Sequence, residues 1–504
     1  MDLIREMVHV IEKDRPKSFK LLIPKASKLR HLYQLASSES FVNDETAAEI
    51  LYKAGSGDKR YMMLKGNLIN KLSELILISE HSDLNKRNFI AIKFDSERQL
   101  TIARKLLYIN VYHNAERITK RVWRQAQKYY LHDIELACCE ILRKINYLKG
   151  YGDKVEKYQQ LVEQKMKELN ILEQARGMAQ LALSQIKFVR SQHPDLVKGC
   201  LAYLDKLHQL EMDSPFFTLN VLRVQLILFH LQNDLENWQK TLEKIDAIFK
   251  EYDFLETEHT MLEINISRVK LYLALQDHAL VKKQIKQLMI TTSFEAFNRF
   301  EVLAERFQWF LHREKFQKGA VVLTEVIGKP RYQKLDSMDQ ASWKIRIAYL
   351  YVINEIYDLK IPDIRFDATN LHDFYQDCSA LRKDKLGYHL QFVIVRLMLL
   401  ILKGDIDYSN ETNYLKVYYQ RYLKGVCLPR TRVFYKALIG AMKDGMKKGS
   451  FLDQQAWLLS ELENHQYLEY NEIIQYDKLF SLFGMLTHAE PKPTAQQSLD
   501  FSEE

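Results

Sequence analysis

HLQNDLENWQKTLEKI (230–245), LALQDHALVKKQIKQL (273–288) and FLHREKFQKGAVVLTEV (310–326) decide how this chain is read. In each, a long apolar segment with helical spacing meets a short polar break, and a shorter helical segment follows. With Leu231, Leu275 and Leu311 as landmarks, the breaks recur at offsets of 44 and 36 residues. A two-helix unit of this size cannot bury its own apolar faces and must stack on its neighbours. The stretches therefore predict helical hairpins in series.

The same rhythm extends outward. From about Ser96 onward, helical segments are separated by brief breaks such as Gly150-Tyr151-Gly152-Asp153, His193-Pro194-Asp195 and Asp213-Ser214-Pro215. Glycine numbers 16 and proline 9 in 504 residues, so the special turns an α/β fold needs are scarce. No proline falls between Pro24 and Pro194 or between Pro215 and Pro330, and strand-like alternation is hard to find. The expectation is an all-α fold, at least about two-thirds helical, with sequential antiparallel helix pairs.

At Tyr112-His113-Asn114-Ala115-Glu116 and Leu402-Lys403-Gly404-Asp405 one helix closes and the next opens. With the three stretches above, these breaks make residues 96–487 resemble the tetratricopeptide-like (TPR-like) helical-repeat family. The resemblance implies an α-α superhelix, a solenoid of antiparallel hairpins whose concave surface grips a peptide or helix. The family's Trp-Leu-Gly-Tyr and Ala-Phe-Pro signature is not preserved, so its peptide-clamping residues are not carried over. More loosely, the chain is similar to large uncharacterised helical proteins of Bacteroidetes-type bacteria, which imply no activity.

Residues 1–95 read differently, as a basic N-terminal module with shorter helical patterns at 3–13, 27–37, 44–53 and 59–79. Asp58 is placed to cap the last of these, and Tyr61, Leu64, Leu68, Leu72 and Leu75 form its apolar stripe. Residues 488–504, ending EPKPTAQQSLDFSEE, read as a disordered tail.

Charge is the strongest functional clue. Residues 1–150 carry a net +9 and the remaining residues −1, which points to an anionic partner for the first third, nucleic acid or an acidic protein face. The run RPKSFKLLIPKASKLR (15–30) holds Arg15, Lys17, Lys20, Lys25, Lys28 and Arg30 without an acidic residue. In the helix near Asn114–Tyr130, Arg117, Lys120, Arg121, Arg124 and Lys128 fall within an arc of about 100°, opposite Ile118, Val122, Trp123 and Ala126. Like charges at that spacing repel, so folding gains nothing from the arrangement.

The 44–53 and 59–79 helices form a candidate helix-turn-helix. Its second helix would present Lys59, Arg60, Lys65, Asn67, Asn70 and Lys71, residue types that anchor phosphates and read base edges. In the tail, Gln496, Leu499 and Phe501 fit a Q-x-x-L-x-F spacing that resembles the peptides docking replication and repair proteins on the sliding clamp. Tyr418, Tyr419 and Tyr422 are candidates for a peptide groove.

No catalytic or cofactor motif accompanies these features. The five cysteines, Cys138, Cys139, Cys200, Cys378 and Cys427, have no CxxC pair, and the 15 histidines no HExxH or HxH. Gly55-Ser56-Gly57 follows a helix and lacks the Gly-Lys-Ser/Thr of a phosphate loop. The N-terminal charges and the short apolar run Phe392 to Leu402 argue against a signal peptide and a membrane span, so a cytoplasmic protein is expected. The composite expectation is a non-enzymatic scaffold binding a protein or peptide on its repeat surface, without cofactor or metal. The alternative is a nucleic-acid-associated transcriptional regulator with N-terminal DNA-binding helices and a TPR-like sensor or dimerisation body.

Overall fold

The three quoted breaks share one construction. In the structure, a computed structural model, Asn233, Gln276 and Glu314 take left-handed φ values of 53°, 59° and 55°. The next residue's N–H then reaches back to the carbonyl five residues earlier: Asp234 to Phe229, Asp277 to Tyr272 and Lys315 to Phe310, each at 2.9 Å. This turn satisfies the orphan carbonyls of the ending helix, which offsets the strain of a left-handed non-glycine residue. Asp234 and Asp277 start the next helix by accepting from the Asn237 and Leu280 N–H groups at 3.2 and 3.0 Å. The same turn closes helices at Asn110, Tyr130 and Gly150, 20 residues apart, and at Gly404.

The structure describes residues 1–13, 19–38, 43–78, 89–188, 194–292, 298–329, 331–359, 361, 371–383, 385–425, 428–469 and 471–488. Among them no strand occurs and well over two-thirds are helical. The chain divides by its contacts into two units, Met1–Val162 and Glu163–Glu504.

The first unit holds α1 (Asp2–Lys13), α2 (Phe19–Leu22), α3 (Lys28–Ser37), α4 (Asp44–Tyr52), α5 (Lys59–Ile78), α6 (Phe89–Tyr108), α7 (Tyr112–Lys128), α8 (His132–Leu148) and the start of α9 (Gly152–Phe188). Its apolar residues form two separate cores. One gathers Ile4, Val8, Leu32, Tyr33, Tyr61, Leu68 and Leu72 from α1, α3 and α5. The other gathers Leu100, Val122, Ala126, Cys138 and Ile145 from α6, α7 and α8.

In the second unit, α10 (Pro194–His208), α11 (Pro215–Gln232), α12 (Leu235–Glu251), α13 (Glu258–Ala274), α14 (His278–Thr291), α15 (Asn298–His312) and α16 (Phe316–Ile327) each pack on the next in sequence. Trp238 of α12 is buried, donates to Ser267 Oγ at 2.9 Å and lies 4.7 Å from the His230 ring, so one aromatic ties two hairpins together.

Sequential pairing does not persist to the end. After α17 (Ser337–Tyr357), α18 (Leu371–Asp377), α19 (Tyr388–Lys403), α20 (Tyr408–Tyr418), α21 (Pro429–Lys443) and α22 (Lys448–Glu463), the last helix α23 (Tyr476–Thr487) packs against α17, α19, α21 and α22 together. The cause is composition: α17, α19 and α23 are apolar on several sides and bury Tyr349, Leu350, Val393, Leu397, Phe480 and Phe483 in one shared core. Twelve of the fifteen residues of α15 are buried, against six of seventeen in α12. Helix α15 is therefore covered on most of its faces.

Residues 464–469 and 471–475, between α22 and α23, provide part of that cover. The Leu468 N–H donates to the Ala274 carbonyl at 3.1 Å, Gln276 Nε2 to the Gln466 carbonyl at 3.1 Å, and Gln308 Nε2 to the Glu472 carbonyl at 3.0 Å. This irregular strap lies on α13 and α15.

Candidate functional site

Helix α7 buries Ala115, Thr119, Val122 and Ala126, and leaves Arg117, Lys120, Arg121, Arg124 and Lys128 exposed, as the helical arc requires. Lys120 pairs with Glu116 at 2.6 Å, and Lys149 shares the same carboxylate. Hydrogen bonds from Lys120 and Lys149 hold the Glu116 carboxyl down to about 2. Arg121 donates to Gln99 Oε1 at 3.0 Å, and the Lys128 ammonium lies 5.3 Å from the Tyr129 ring. Among the described residues no carboxylate lies within ion-pair distance of Arg117, Arg121, Arg124 or Lys128.

The triple replacement of Arg117, Arg121 and Arg124 by Ala is therefore expected to leave the thermal unfolding midpoint within about 2 °C of the parent, since exposed cations without a carboxylate partner contribute little to stability. A larger fall would mean that the row supports the fold.

On α5 the six candidate DNA contacts separate. Lys59, Asn67 and Asn70 are exposed. Arg60 pairs with Asp58 at 2.9 Å, Lys71 with Glu74 at 3.0 Å and Lys65 with Asp44 at 2.8 Å. Asp44 also receives the N-terminal ammonium at 2.9 Å and the Tyr61 hydroxyl at 2.6 Å. Burial raises the Asp44 carboxyl, but the hydrogen bonds from Lys65, Tyr61 and the terminus outweigh it and hold the group well below the usual carboxylate range.

Lys65 thus joins α5 to the start of α4. Lys65→Ala is expected to cost about 1 kcal/mol at neutral pH, the partial exposure of the pair discounting a full charged hydrogen bond. A lowered carboxylate pKa contributes stability above its unfolded value that is lost as pH falls. The gap between parent and variant in urea unfolding should therefore shrink below about pH 4, and a constant gap would contradict the pairing.

The basic run is only partly described. Arg15 and Lys17 lie outside the described residues, and Lys20 and Lys25 are exposed. Lys28 sits 3.8 Å over the Tyr52 ring, and Arg30 sits 4.7 Å from the Phe19 ring. Gln496, Leu499 and Phe501 lie outside the described residues. The tyrosine groove is corrected: Tyr418 is buried, donates its hydroxyl to the Lys385 carbonyl and stacks on Tyr435, because α20 packs against α21. Tyr419 and Tyr422 pack half-buried on the same core.

Cys138, Cys139, Cys200 and Cys378 are buried. Burial pushes the Cys200 thiol up to about 11 and Cys378 to about 12, away from nucleophilic thiolate chemistry. Cys427 lies outside the described residues. Among the described residues no group of three or more His, Cys, Asp or Glu is placed to hold a metal ion, and no helix is long and apolar enough to cross a membrane.

The second unit contains a cavity of about 140 Å³ where α11, α13, α15, the Arg346 side of α17 and the Tyr388 end of α19 meet under the strap. On one wall Arg223 holds Glu263 through two bonds of 3.0 and 2.6 Å, and Lys270 lies 3.3 Å from Glu301 and 3.8 Å from Glu305. On another, Arg346 is 3% exposed and donates to the Ser342 carbonyl at 3.0 Å and to the Tyr388 hydroxyl at 3.3 Å. Leu226, Ile227, Leu262, Ile266, Leu273 and Ile473 supply apolar lining. The strap beside it is anchored by Arg430, which binds Glu472 at 2.6 and 3.1 Å. His312 donates from Nε2 to the Glu472 carbonyl at 2.7 Å, and burial holds its pKa down to about 4, so the ring is neutral.

Sequence reasoning passed over this cavity because its residues are dispersed over six helices, Leu183 of α9 included, and the strap. A signal was nevertheless present. Glu301, Glu305, Gln308 and His312 recur at spacings of four, three and four, a polar stripe along one side of α15, and Glu263, Ser267 and Lys270 begin the same pattern on α13. Compared with protein-family models, with curated proteins and with solved structures, the chain matches none.

Proposed function

We propose that the protein acts by binding rather than by catalysis, as a cytoplasmic scaffold whose basic α7 face docks an acidic protein surface. In this reading the hairpins α10–α16 are a degenerate TPR-like superhelix. The observation that carries it is the row Arg117, Arg121, Arg124 and Lys128, exposed on one side of α7 with no carboxylate within ion-pair distance among the described residues. Four guanidinium and ammonium groups on a rigid helix attract an anionic surface and orient its approach without needing chemistry of their own.

A nucleic-acid partner is the second reading, favoured by Lys59, Asn67 and Asn70, which α5 exposes immediately after α4. The pairing of Arg60, Lys65 and Lys71 with carboxylates weakens it, because those cations are already partly neutralised. The readings part on competition. With poly-L-glutamate bound to the full chain at low ionic strength, excess unrelated duplex DNA should fail to displace it if the face selects acidic protein, and the triple arginine variant should lose most of the binding. If duplex displaces it, and Lys59→Ala lowers the log–log salt slope by about one while Lys65→Ala does not, the regulator reading takes its place.

A further inference from the structure

Arg346 is a buried cation for which the described residues supply no anion. Its side chain is 3% exposed, its guanidinium lies 5.0 Å from the Trp343 ring, and among the described residues no carboxylate is within ion-pair distance. Its hydrogen bonds run to neutral groups, and its Nε–H has no acceptor. Beside it on the cavity wall, Gln391 is 2% exposed and accepts from the Tyr349 hydroxyl at 2.7 Å, leaving Nε2 without a partner. A buried charge is retained at a cost of several kcal/mol unless a counter-ion meets it. Both side chains line the cavity, and two unpartnered buried donors on its wall, one of them cationic, are therefore the half of a site that receives an anion.

The rest of the lining narrows the class. Among the described residues, the wall of α11, α13 and α15 carries Glu263, Glu301 and Glu305 with Arg223 and Lys270, three carboxylates to two cations, a surplus of one. That surplus repels a dianion such as phosphate and attracts an ammonium group. Between the two ends the lining is aliphatic. The volume, about 140 Å³, is of the order of a cavity that admits one benzene-sized body. We propose that this cavity is a binding site for an α-amino acid with an apolar side chain, its carboxylate on Arg346 and Gln391 and its ammonium toward Glu301 and Glu305. The site is independent of the α7 surface, whose partner can fail to bind without bearing on it.

The test uses thermal unfolding of the full chain with L-leucine, L-phenylalanine, 3-phenylpropionate and phenethylamine. Leucine or phenylalanine at millimolar concentration should raise the unfolding midpoint in a dose-dependent way. Phenethylamine, which lacks the carboxylate, should give no shift, and 3-phenylpropionate, which lacks the ammonium, a smaller one. Arg346→Met should abolish the shift while leaving the ligand-free midpoint unchanged or higher, because it removes an uncompensated charge. Arg346→Lys keeps the charge and loses the fork, and should weaken the response at least tenfold. Glu305→Gln should weaken the response to the amino acids and spare that to 3-phenylpropionate. The absence of any shift with both amino acids overturns the proposal. So does an undiminished shift in the Arg346 variants, or equal shifts with phenethylamine.

Discussion

Replacing Glu472 with Ala should destabilise the second unit by about 3–5 kcal/mol, the range for breaking a fully buried ion pair by removing one member. Glu472 is 0% exposed and its carboxylate binds Arg430 through two bonds, while also accepting from the Glu469 N–H at 2.8 Å and the Tyr476 N–H at 3.2 Å. Truncation to Ala leaves Arg430, itself 5% exposed, as an uncompensated cation beneath the strap. It also leaves two backbone donors without acceptors. The double variant Glu472→Leu with Arg430→Met removes both charges at similar volume and should recover the part of the loss due to the stranded cation, but not the part due to the two backbone donors. Urea unfolding measures both, and a single-variant cost below about 1 kcal/mol would show that the strap adds little to the unit's stability.

The same strap explains which parts of the fold were legible. Local rules sufficed for the hairpins: Asn233-Asp234 and Gln276-Asp277 pair a left-handed closing residue with a capping carboxylate, and both are visible as polar pairs between apolar runs. The α7 row was equally legible, because which side of one amphipathic helix faces out depends on nothing beyond its own periodicity. The closure of the C-terminal part was not. HQYLEYNEIIQ (465–475) lies inside the stretch expected to be a helical repeat array, yet it is irregular, and Glu469 and Glu472 are buried by Arg430 and Thr431, about forty residues earlier in the chain. Pairing at that separation leaves no periodic trace. The pairing of Lys65 was illegible in the same way: its type fits a phosphate contact, and only the fold reveals Asp44 beside it. The cavity combines both cases, since its stripe on α15 was readable but its anion-seeking end, Arg346 with Gln391, is assembled across α17 and α19.

A pH dependence follows from two groups at the strap that titrate in opposite senses. Burial and the neighbouring Glu472 charge push the Glu469 carboxyl up to about 7, against the lowering effect of hydrogen bonds from the Thr431 hydroxyl and the Arg430 and Thr431 N–H groups. Between the unfolded value near 4.5 and 7, the native state binds more protons than the unfolded chain, so this group's contribution to stability declines as pH rises. Over that window the decline amounts to roughly 3 kcal/mol. His312 works the other way: held down to about 4 by burial, it contributes stability that is complete above about 6.5 and is lost as pH falls through 4. In the parent chain the two slopes largely cancel between about pH 4.5 and 6.5, leaving a fall from there to 7. Glu469→Gln removes the descending slope and should leave stability rising with pH up to about 6.5. His312→Gln should do the reverse, exposing a steady decline from about pH 4.5 to 7. Urea midpoints of the second unit's transition across that range measure both. If the two variants and the parent keep parallel profiles, neither group titrates with the fold, and the strap is held by Arg430 and Glu472 alone.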